Sequence, residues 1–159
     1  NNMLIGLSAV WCILFAWYGF SDMPVCWYWK NHDKDDQLAE FDAVRNYIYV
    51  NQRFYNFFMT AFVLYLIQLV LYIISRAKED EKDLNEKLWM GIKVVDVLLL
   101  LTWIYGFIVR FCKSGAYCTG RNLASWGNFI GIAFWIFIVL AILAVLSLLC
   151  SKKDDEEEE

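Results

Sequence analysis

Apolar residues gather into four long runs along the chain, and most charged residues fall in the gaps between them. Three runs, Phe57 to Ser75, Leu88 to Phe111 and Phe129 to Cys150, can each cross a hydrocarbon core about 30 Å thick, which takes ~20 helical residues. The fourth, Met3 to Phe20, is slightly short but lies within the ~17–25 residue range. A cleaved leader is the competing reading of that run. It has no basic leader, however, and Trp11, Trp17, Tyr18 and Phe20 are poor material for a small-residue cleavage site. The pattern predicts an all-α integral membrane protein: one domain over residues 1–150, four transmembrane helices in an up-down bundle, both termini on one side.

The gaps differ in character. Residues 21–56 form the largest aqueous segment, opening with Pro24, Cys26 and the ring-bearing run Trp27, Tyr28, Trp29, which suits a headgroup region. From Leu38 the apolar positions Leu38, Phe41, Val44 and Ile48 recur at helical spacing, and no proline or glycine follows before Ser75. The second membrane helix is therefore expected to begin at residue 38 and reach roughly 55–60 Å at 1.5 Å per residue, with a break near Asn51 to Asn56 as the equal alternative. The link from Arg76 to Lys87 alternates in sign and is short enough to make the second and third spans antiparallel neighbours. The link from Cys112 to Trp126 is small and carries glycine, and residues 151–159 form an acidic tail expected to be solvated and disordered.

Composition agrees with the pattern. Apolar residues make up 60% of the chain, above the roughly 45–50% of a soluble domain, and there is one proline. Charge does not orient the protein, because the 14 basic residues divide equally between the two sides and only these should be counted. Cysteine placement breaks the tie. Cys26, Cys112 and Cys118 all border one side, and disulfides persist only in oxidising compartments. Cys150, beside Lys152 and Lys153, occupies a position where palmitoylation occurs. Both termini are expected in the cytosol, in the plasma membrane or an endomembrane, with a mitochondrial inner membrane as the other compartment. A bond between Cys112 and Cys118 is the first expectation, and Cys26 paired with either is the competitor.

Polar groups within spans are the best pointers to function, because burying them in hydrocarbon is costly. Gln68 in the second span and Lys93 and Asp96 in the third stand out. Gln68 lies seven residues before Ser75 and Asp96 nine after Lys87, so antiparallel neighbours would hold them at similar depth. Lys93, three residues from Asp96, can share its helix face. The sharper reading is an ion or proton pathway; the plainer one is a packing clamp with Lys93 reaching for the headgroups. Gly127 and Gly131 form a GxxxG that would allow close helix packing. Trp103, Tyr105, Phe107, Phe134, Trp135 and Phe137 are expected to face lipid or core.

Catalytic chemistry is not expected. His32 is the single histidine, so neither a histidine metal cluster nor a triad can be built. Asn31, Asp33, Asp35 and Asp42 occupy calcium-loop positions, but Asp36 stands where that loop needs glycine. No phosphate-cradling glycine loop or nucleophile elbow occurs. No cofactor, metal or nucleic-acid partner is implied. The signatures of claudin-type proteins and tetraspanins are missing, and the likeness to MARVEL and synaptophysin-type vesicle proteins extends to layout alone. The leading expectation is a non-enzymatic tetraspan protein that works in the bilayer through other membrane subunits or self-association, as an accessory subunit or membrane-domain organiser. The alternatives are an oligomeric channel or transporter using Gln68, Lys93 and Asp96, and a supernumerary subunit of a respiratory or ATP-synthase complex.

Overall fold

A computed structural model describes residues 2–29, 47–78 and 80–156. Helix α1 spans Asn2–Phe20, α2 Val50–Ala77, α3 Lys82–Phe111, α4 Lys113–Thr119 and α5 Ala124–Glu156, and two short strands, β1 (Trp27–Trp29) and β2 (Tyr47–Tyr49), join them. Four helices are long and apolar enough to cross a membrane: α1, α2, α3 and the Ala124–Ala144 part of α5.

Helix limits follow from hydrogen-bonding logic more than from hydropathy. Helix α3 begins at Lys82, ahead of the first apolar residue of its run, because Lys82 to Lys87 are helix-compatible and pair locally, as in the exposed Lys87–Asp83 contact at 3.2 Å. The chain turns between α2 and α3 through Lys78, whose N–H reaches the Ile74 carbonyl at 2.9 Å. At the other end of α3, Cys112 takes an extended conformation and becomes the N-cap of α4.

The helix expected to start at Leu38 and run unbroken to Ser75 does not form. Residues Tyr47–Tyr49 are strand, paired antiparallel with Trp27–Trp29 in the register Trp27 to Tyr49, and α2 starts at Val50. The equal alternative, a break near Asn51 to Asn56, comes closer: the break falls just ahead of Asn51, and residues Asn51 to Asn56 are themselves helical. Aromatic runs favour a pleated surface, and here that preference outweighs the helical spacing. The Val50 N–H closes the ribbon on the Cys26 carbonyl at 2.9 Å. The repeat from Leu38 to Val44, together with the calcium-loop candidates Asn31, Asp33, Asp35, Asp36 and Asp42 and His32, lies outside the described residues. The acidic tail is not disordered from its start as expected: the backbone of α5 continues through Ser151 to Glu156 as helix.

Helix contacts pair rising numbers on one helix with falling numbers on the next. Ser8 meets Gln68 while Phe15 meets Phe57. Ser75 bonds Asn85, Gln68 bonds Asp96, and Tyr65 bonds Trp103. Trp103 touches Phe137, Phe107 touches Phe134, and Arg110 bonds the Gly127 carbonyl. The core lies toward the β-ribbon end, where Phe15, Phe54, Phe57, Phe58, Leu123 and Ile130 are fully buried. Near it, α1 and α5 converge through Tyr18 and Phe129, whose rings lie 4.7 Å apart. Away from that end α5 leaves the other helices. Beyond Phe137, its residues Val139, Leu140, Ile142, Leu143 and Leu146 are all exposed.

Candidate functional site

Among the described residues, the most polar place within the four long apolar helices is a chain of three side chains from three helices. Ser8 Oγ donates to Gln68 Oε1 at 2.9 Å, and Gln68 Nε2 donates to Asp96 Oδ1 at 2.5 Å. A carboxylate only accepts, so the amide nitrogen must face Asp96; that turns the amide oxygen toward Ser8, whose hydroxyl can donate. Ser8 and Gln68 are buried, at 4% and 7% exposure, while Asp96 is exposed. Residue 96 falls at the middle of α3, so the carboxylate sits as far from both helix ends as the fold permits.

Lys93 does not complete this group. It is exposed, and no ion pair joins it to Asp96 among the described residues, although spacing alone would allow one. Three residues subtend 300° on a helix of 3.6 residues per turn, leaving the two side chains about 60° apart. Gln68 holds Asp96 toward α2 instead.

Toward the β-ribbon the interior becomes aromatic. Trp103, two turns along α3 from Asp96, donates its indole N–H to Tyr65 Oη at 3.0 Å. Trp11 stacks on Tyr65 and meets Trp103 edge-on, and Phe15 touches Phe57, Phe58 and Phe129. Of the rings singled out by sequence, Trp103 is buried, Phe107 and Phe134 are half-buried against each other, and Tyr105, Trp135 and Phe137 are exposed. A groove of about 540 Å³ between α2 and α3 carries Asn56, Thr60, Thr102 and Tyr105, and contains none of the three-residue chain.

The cysteines pair differently from the first expectation. Cys26 is bonded to Cys118, with Cα atoms 6.0 Å apart, while Cys112 and the buried Cys12 are free. The reason is α4. A helical stretch of six residues advances about 9 Å, beyond the ~7 Å that a disulfide can bridge, so the helix holds Cys112 and Cys118 apart. Cys112 serves instead as N-cap, its sulfur accepting from the Gly115 N–H at 3.4 Å.

The GxxxG packs closely within the chain at one of its two glycines. A Cβ at Gly127 would overlap the Thr119 side chain, so this glycine lets α4 lie against α5, whereas Gly131 approaches only Arg110. Arg110, near the end of α3, donates from Nε to the Gly127 carbonyl at 2.8 Å. Sequence reading missed both Ser8 and Arg110 as organising residues. A single small hydroxyl in an apolar run and a basic residue at a span end are too common to stand out. Cys150 belongs to α5, beyond the last residue whose side chain is described. Compared with known proteins, the chain matches no family model, no curated sequence and no solved structure.

Proposed function

We propose that this is a four-pass integral membrane protein, an up-down bundle with both termini in the cytosol, that works without catalysis as an accessory or structural subunit of a larger membrane assembly. One observation carries the proposal: Asp96 is exposed at mid-helix on a bundle that α5 leaves unclosed. A charge within a span costs up to roughly 2.5–3.5 kcal/mol even on the lenient insertion scale, the figure for the span centre. Gln68 satisfies one carboxylate oxygen and no described side chain bonds the other. Cover supplied by another polypeptide removes that cost, and an assembly subunit has such cover by construction.

Purification from native membranes in mild detergent tests this. Stoichiometric co-purifying subunits are expected, and recovery of a lone monomer overturns it. A second reading, an oligomeric channel with Gln68, Lys93 and Asp96 at its lining, draws on the outward placement of Lys93 and Asp96. The ring-filled interior supports no path through a single copy, so any pore would lie between copies. Ion flux in liposomes that Asp96→Asn abolishes would favour that reading.

A further inference from the structure

The two charges left over inside the spans have opposite signs, lie one turn apart on the same helix, and do not neutralise each other. We infer that α3 carries a self-complementary contact: Lys93 of one copy pairs with Asp96 of a second copy, and Asp96 of the first with Lys93 of the second. This rests on the membrane reading above and names the first partner within it.

Membrane geometry constrains the arrangement. Two copies inserted the same way can be related by a two-fold axis along the bilayer normal, which makes their α3 helices parallel and the contact isologous, residue for residue. Lys93 and Asp96 then differ in depth by three residues, about 4.5 Å. The four-carbon stem of lysine covers that distance. The lysine of each copy meets the carboxylate of the other, and the four charges sum to zero.

Three features favour a second copy over pairing within one chain. Gln68 already holds Asp96 Oδ1 and turns the carboxylate toward α2. Lysine preceding the acid along the helix is the weaker order for a local pair. The flank is also open: α5 stays away at this depth, and the neighbouring Val97 and Leu100 are exposed at 57% and 61%, leaving an apolar surface for the second helix to pack on. Lysine in isolation could reach the headgroups, but the short side chain of Asp96 has no comparable reach.

The test is complementation between two disabled copies. Wild type, Lys93→Gln and Asp96→Asn are each labelled with donor and acceptor fluorophores and reconstituted in phosphatidylcholine liposomes at high lipid dilution. Wild type should show energy transfer. Each variant alone should associate at least about tenfold more weakly, the scale of close charge pairs at interfaces. Mixing Lys93→Gln with Asp96→Asn copies retains one intact pair, so transfer between the two variants should exceed transfer within either. Equal transfer in all three cases, or a mixture no better than its components, overturns the inference. The side-chain amide introduced by Asp96→Asn can still accept from Gln68, and an intact Cys26–Cys118 bond on a non-reducing gel reports that each variant has folded. Wild type that stays monomeric in liposomes yet co-purifies with other subunits from native membranes would sink this contact and leave the accessory function standing. A dimer in liposomes with no further subunit in native membranes would do the reverse.

Discussion

Gln68 is the acceptor for Ser8 and the donor to Asp96, so one amide ties α1 to α3 through α2. Replacing it with leucine strands a hydroxyl and a carboxylate at once. Interhelical hydrogen bonds in membranes average roughly 0.6 and reach about 1.7 kcal/mol. Gln68→Leu should lose an amount in the upper part of that range in a reversible detergent unfolding titration. Asp96→Asn, which preserves an acceptor, should lose less. A Gln68→Leu variant as stable as wild type would show that the three-residue chain contributes nothing to cohesion.

The Tyr65–Trp103 bond gives a second measurement. Tyr65→Phe removes the oxygen that accepts from the buried indole. An unsatisfied buried donor costs about 1–3 kcal/mol. The same titration should show that loss, with tryptophan emission shifted as the indole environment changes. Trp103→Phe removes the donor instead, leaving a hydroxyl that can turn elsewhere, and should cost less than an equal loss of ring area would suggest.

Close approach at glycine separates two positions that look alike in sequence. A Cβ at Gly106 would overlap the Phe57 ring, and one at Gly127 would overlap Thr119. Gly106→Ala and Gly127→Ala should each lower stability by roughly 1–3 kcal/mol, the usual range for overpacking. Gly131→Ala has ordinary contact distance to Arg110 and should fall within error of wild type. Thermal midpoints in one detergent decide the order.

Oxidation state gives the fourth prediction. Cys118→Ser and Cys26→Ser should both change mobility on non-reducing gels and lower stability by about 2–4 kcal/mol, the typical worth of a disulfide. Cys112→Ser should leave mobility unchanged, because Cys112 is free. Loss of the bond in Cys112→Ser would reverse the assignment.

Much of the fold is legible from where apolar runs begin and end, since hydrocarbon tolerates only helices at those lengths. The depth match of Gln68 with Asp96 can be counted outward from the short link. Helix starts are less legible: α3 begins among charges, and hydropathy does not report helix in a charged segment. The β-ribbon is hidden because three-residue strands carry no usable periodicity, and the repeat after Leu38 points to the wrong period. Disulfide partners and the role of Ser8 depend on which helices converge, and spacing along one chain does not contain that information.

The bond between Cys26 and Cys118 spans 92 residues, and this poses a choice of partner during synthesis. Cys112 leaves the ribosome six residues ahead of Cys118, a lead on the order of a second or less at ~5–20 residues per second. Thiol exchange takes seconds to hours, so the two candidates reach Cys26 as near-simultaneous competitors. Timing therefore selects neither. What distinguishes them is α4, which caps itself with one thiol and presents the other, so that seven residues of helix act as the proofreader of a crosslink ninety-two residues long.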